Sequence, residues 1–185
     1  MAAVILFNKP YGVLCQFTSA EGRPCLKDYV PVPDVYPAGR LDTDSEGLLV
    51  LTGYGRLQAR IAEPERKLAK TYWAQVEGVP SPQVIRMLCA GLDLGDFVSQ
   101  PCTARLMDEP GGLWPRNPPI RVRLQIPTAW IELELKEGKN RQVRRMTAKV
   151  GHPTLRLIRA AIGPWTLDGL PPGEWRQAAI PEKWL

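Results

Sequence analysis

The 185-residue chain carries a single histidine, His152, and four cysteines, Cys15, Cys25, Cys89 and Cys102, with no Cys-x-x-Cys pair among them. A zinc site needs clustered Cys or His ligands, so no metal is expected, and the cysteines read as reduced, partly buried thiols. One histidine leaves little room for histidine-based hydrolysis. His152 also sits in Gly151-His152-Pro153, the composition of a turn after a helix. The chain lacks any run of about 18 apolar residues, so no membrane span is expected. Met1 leads into Val4-Ile5-Leu6-Phe7 without the basic segment of a signal peptide, which points to the cytoplasm.

What is present is globular. Hydrophobic residues make up 44% of the chain and charged residues 23%. A chain of this size buries roughly 70% of its unfolded surface, enough for one domain or for two small lobes sharing a sheet. The 19 prolines exceed average usage, about 5%, and imply stiff connections.

Acid is scarce in one place. The formal net charge is +5. From residue 136 to residue 159, Lys136, Lys139, Arg141, Arg144, Arg145, Lys149, Arg156 and Arg159 face one acid, Glu137. Such a concentration suits a polyanion, most simply nucleic acid. A solvated basic face has the same composition.

Elements follow from periodicity and punctuation. A strand is expected over 3–7, closed by the turn Asn8-Lys9-Pro10-Tyr11-Gly12. Buried and half-buried strands are expected over 46–52, 71–76, around Leu106, and over 130–136 and 155–162. Ser81 caps a helix with Pro82 at its first position and Gly91 past its end. Short helices are expected over 56–61 and 140–150. Residues 109–127, rich in Pro, Gly, Trp and Arg, read as a long ordered loop. Gly173-Glu174-Trp175-Arg176 reads as a last turn and edge. Without a regular βαβ rhythm, this mixture is α+β with a largely antiparallel sheet.

Two segments carry chemistry. Gly39-Arg40-Leu41-Asp42-Thr43-Asp44-Ser45-Glu46-Gly47 is an acidic, glycine-bounded loop running into the apolar 48–52. A carboxylate placed just before a buried strand is held by a rigid element, which makes Asp42 the candidate reactive group. In the helix over 140–150, Val143, Met146 and Val150 share the core stripe. Arg141 and Arg145 then face solvent, where phosphates can reach them. Arg144 falls on the flank, the position from which an arginine aims its fork at a partly buried carboxylate.

Taken in order, these segments resemble the ribosomal small-subunit synthase A (RsuA) family of pseudouridine synthases. The likeness rests on Lys9-Pro10-Tyr11-Gly12, on the acid loop through Leu49, on Lys70-Thr71-Tyr72 with Val76-Glu77-Gly78, on Glu137 through Met146, and on Gly173-Glu174-Trp175-Arg176. It spans nearly the whole chain. It implies the α+β catalytic fold of that family over residues 1–185 as one domain, with no S4-type RNA-binding domain ahead of it. It also implies an isomerase that turns uridine into pseudouridine without cofactor or metal. Residues 114–120 and 126–130 are most similar to the branch acting on 23S ribosomal RNA, free or in immature particles. Lys139 stands where the family usually has arginine, and Gly53-Tyr54-Gly55 replaces its usual Asn/Asp-Gly turn.

The reaction breaks the N1–C1′ bond, turns the base and joins C5 to C1′. The resemblance therefore assigns Asp42 as the essential carboxylate, nucleophile or base. Tyr72 stacks on the uracil, and Arg144 is the guanidinium partner that keeps Asp42 ionised. Arg40 braces the stack the flipped base vacates, and Lys9, Lys139, Arg141 and Arg145 join the RNA contacts. Trp114 and Trp130 can stack on bases, although Trp130, Ile131 and Leu133 read first as core. A monomer is expected. Two other readings fit parts of the pattern. One is a glycosidase using Asp42 with Asp44, which an extended chain would place about 7 Å apart. The other is an RNA-binding module without catalysis.

Overall fold

The structure, a computed structural model, describes residues 4–63 and 68–184. Ala3, the first residue of the expected opening strand, lies outside them. In chain order the strands are β1 (Val4–Lys9), β2 (Tyr36–Pro37), β3 (Glu46–Thr52), β4 (Lys70–Glu77) and β5 (Thr103–Met107). They continue with β6 (Thr128–Leu135), β7 (Thr154–Ile162), β8 (Trp165–Thr166) and β9 (Trp175–Ala178). The helices are α1 (Gly55–Ala62), α2 (Pro82–Ala90) and α3 (Gln142–Lys149). This is the α+β class that the sequence implies. No helix among the described residues is long and apolar enough to cross a membrane.

The chain forms two compact units, Met1–Leu68 with Arg159–Leu185, and Ala69–Ile158. In the first, β1 lies between β3 and β9, antiparallel to both. All of β1 and β3 is buried, and alternation brings Ile5 opposite Leu51 and Phe7 opposite Leu49. Leu26, Val30, Val35 and Leu41 complete that core. Leu41 is a residue of the acid loop, so one end of the loop is tied down by apolar burial. The edge expected near Trp175 is β9, paired with β1 over Phe7↔Trp175 to Val4↔Ala178.

In the second unit β6 lies between β4 and β5, antiparallel to both. Ile131, Leu133 and Leu135 point into a core with Ala74, Val76, Leu88, Val143 and Met146, while Glu132 pairs with Arg105 at 2.9 Å on the other face. Trp130, on the Glu132 face of β6, is also buried. Ser81 caps α2, its Oγ accepting from the Val84 N–H at 3.3 Å. The helix over 140–150 is shorter than expected. Arg141 adopts φ 50°, a left-handed conformation that cannot lie inside an α-helix, so α3 starts at Gln142.

Gly91 ends α2 at φ 92°, and a Cβ there would meet the Ser99 carbonyl oxygen at 2.3 Å. Gly91→Ala is therefore expected to destabilise the protein by about 2 kcal/mol or more, combining steric overlap with an unfavourable φ. Urea unfolding checks it; a loss below about 0.5 kcal/mol, the range of neutral surface changes, contradicts the packing described.

Candidate active site

In the first unit the acid loop hangs from the strands by its backbone. Gly39 and Gly47 hold φ of 82° and 107°, which L side chains resist, and so bound the loop. The Asp42 carbonyl accepts from the Ser45 N–H at 3.1 Å, closing a turn around the half-buried Asp42. The Thr43 carbonyl accepts from the Gly12 N–H at 2.8 Å and from the Lys9 Nζ at 3.4 Å. Gly12, at φ 84°, is thus the far side of the turn that docks on the loop.

Lys9 requires a correction. As an RNA contact it would have to reach the surface, but it is fully buried. Its ammonium donates to the carbonyls of Pro10 at 3.0 Å and Val13 at 2.9 Å, as well as to Thr43. Burial pushes its pKa down to about 8, against the pull of the acids Glu46 and Asp44 and with the repulsion of Arg159. The Lys-Pro-Tyr-Gly turn therefore braces the acid loop from below. Arg40, next to Leu41, is exposed.

The second unit holds the other candidates. Tyr72 is half-buried on β4, opposite Leu133, and packs against the core that Val143 and Met146 fill. Arg144 is half-buried on α3; Arg141 and Lys139 are exposed. Arg145 does not stand free in solvent as the helix reading expected. It forms an ion pair with Asp96, donates to the Leu94 carbonyl at 3.0 Å, and lies 5.2 Å from the Phe97 ring centre. Its hydrogen bond holds the Asp96 carboxyl below the usual carboxylate range. Lys139 lies over the same ring at 5.7 Å.

Two further members of the basic run are also not surface charges. Arg156 and Arg159 are 5% and 3% exposed. Arg156 donates to the Trp114 carbonyl at 2.9 Å. Arg116 donates to those of Pro118, Leu155 and Pro119 at 2.8, 3.0 and 3.2 Å. These arginines order the loop over 109–127, whose tip leaves Val122 and Leu124 exposed.

Sequence reasoning passed over Gln142 and Glu137. The Gln142 side chain donates to Glu137 Oε1 and accepts from the Lys139 N–H at 3.1 Å, while Glu137 also accepts from the Gln100 N–H at 2.8 Å. Both are buried. The one signal for them was that Glu137 is the single acid in a basic stretch.

A family model described as RNA pseudouridylate synthase matches residues 3–149. The chain is 52% identical over 178 residues to the ribosomal large subunit pseudouridine synthase E of Vibrio vulnificus, covering 96% of this chain and 76% of that one. It is likewise 52% identical over 175 residues to the protein of that name in Xanthomonas campestris pv. campestris, covering 94% of each. Among solved structures, a crystal structure of a pseudouridylate synthase matches with a TM-score of 0.79 and 25% identity, over 97% of this chain and 71% of that one.

The buried ammonium gives the site a stability signature. Folded Lys9 loses its proton near pH 8, and the unfolded side chain near 10.5. Between those values the unfolded state holds more protons, so stability contributed at this position rises with pH. Lys9→Met lacks that titration and leaves carbonyls unmet, costing about 1–3 kcal/mol at pH 7. The gap between native and variant should widen by up to about 3 kcal/mol from pH 8 to 10.5. Urea unfolding across that range reads it, and a gap that narrows contradicts the buried ammonium.

Proposed function

Because the chain belongs to the RNA pseudouridylate synthase family, we propose that it converts a specific uridine of 23S ribosomal RNA to pseudouridine. The support is a likeness running through almost the whole chain to proteins named for the ribosomal large subunit. The local geometry suits the reaction. Breaking N1–C1′ and forming C5–C1′ needs an ionised carboxylate held still at the ribose, and Asp42 sits on a loop pinned on both sides. The C5 proton leaves for solvent and N1 gains one, so the atoms balance without any group entering.

Tyr72, half-buried on a strand, offers its ring to the uracil face. Arg144 supplies a guanidinium charge that favours an ionised carboxylate as water leaves. Drawing the uridine out of its helix costs a few kcal/mol. Stacking on Tyr72 and phosphate contacts at the exposed Lys139 and Arg141 offset that cost, and the exposed Arg40 fills the vacated place. The 1–185 chain works as a single catalytic domain and a monomer in the cytoplasm, on ribosomal RNA that is free or in immature particles.

Tritium at uridine C5 is lost to water when C5 bonds to C1′, so release from labelled ribosomal RNA reads the reaction directly. Asp42→Asn is expected to cut release by at least about a hundredfold while RNA binding stays within about threefold. Release that survives in the variant contradicts the role of Asp42. For binding, Arg141→Ala should reduce the slope of log affinity against log salt by about 1. An unchanged slope removes Arg141 from the RNA surface.

A further inference from the structure

Arg159 lies in the second half of β7, almost fully buried. Its Nε donates to the Leu48 carbonyl at 2.8 Å and its Nη1 to the Arg40 carbonyl at 3.2 Å. Leu48 belongs to β3, the strand onto which the acid loop runs, and Arg40 stands two residues before Asp42. A guanidinium presents its N–H groups as a rigid planar fork. One side chain therefore sets the entrance of the loop against the strand at its exit. Thr43, just past Asp42, is held independently by Gly12 and Lys9. Asp42 is left between two clamped carbonyls.

The remaining Nη2 of Arg159 is buried without a hydrogen-bond partner among the described residues. A buried cation with one end unmatched is a poor device for stability alone. What its two bonds supply is geometry. We propose that Arg159 is a positioning residue for the Asp42 carboxylate, acting through the loop backbone; the proposal rests on Asp42 being the essential acid.

The test is Arg159→Lys, which keeps the charge but replaces the fork with a point donor. Displacement of a reacting group by about 1 Å costs up to about a hundredfold. The expected result is a single-turnover rate at saturating RNA lowered about 10- to 100-fold, with the KM for RNA within about threefold of native. The melting temperature should stay close to native. Arg176 is the control, since it also joins two carbonyls of the same unit, those of Asp168 and Thr166; Arg176→Lys should leave the rate unchanged.

A folded Arg159→Lys protein with native rate, or with raised KM and native rate, overturns the proposal. So does an equal loss in Arg176→Lys. If Arg159→Lys does not fold, hydrogen exchange on the native protein decides: residues 39–47 should be protected as strongly as 159–162, and a loop exchanging freely while β7 is protected overturns the clamp. Absence of tritium release by the native protein instead overturns the reading of Asp42, and this proposal with it. A rate defect missing from the variant while the native protein is active overturns this proposal alone.

Discussion

An ammonium shut away from water has to find acceptors, and the neighbourhood of the acid loop is built around the ones Lys9 finds. Its nitrogen joins the carbonyls of Pro10, Val13 and Thr43, so the end of β1, the turn after it and the loop bearing Asp42 meet on one atom. The strands supply the rigidity that makes this useful. β1 and β3 pair over six residues, with the fully buried pairs Ile5↔Leu51 and Phe7↔Leu49 facing the core. A loop suspended between such strands cannot drift without pulling on a packed core. The guanidinium of Arg159 does at the loop entrance what Lys9 does at its middle.

The longer strands were legible because their signals were local, whereas the two-residue β2 and β8 were not expected. Alternation located β6, the apolar run after the acid loop located β3, and Ser81-Pro82 with Gly91 located α2, each within two residues. The start of α3 was not legible, because it depends on Arg141 at φ 50°, and no propensity announces a positive φ at an arginine. The burial of Lys9 was not legible either. Lysine is almost always at the surface, and its three acceptors become neighbours only after the chain has turned at Gly12 and the loop has docked.

The basic run shows a related limit. Counting charges along 136–159 assumes that they share a surface, yet β7 is buried through most of its length and takes Arg156 and Arg159 inside with it. Arg145 is matched by Asp96. The exposed cations of that run are Lys136, Lys139, Arg141 and Lys149, half of the composition-level count. Arg145, Arg156 and Arg159 serve the protein's own carbonyls and carboxylates. Charge that first reads as polyanion affinity is in good part the framework of the loops.

Asp42, on a loop whose backbone carbonyls accept from the buried cations Lys9 and Arg159, is proposed to isomerise a base without adding or removing atoms. Nucleoside-resolved mass spectrometry of 23S ribosomal RNA, free and in immature particles, after incubation with the purified protein tests it most directly. The expected result is one uridine converted to an isomer of equal mass that carries the carbon–carbon glycosidic bond, with no free base. Free uracil and an abasic site, or bound RNA whose uridines are all unchanged, would contradict it.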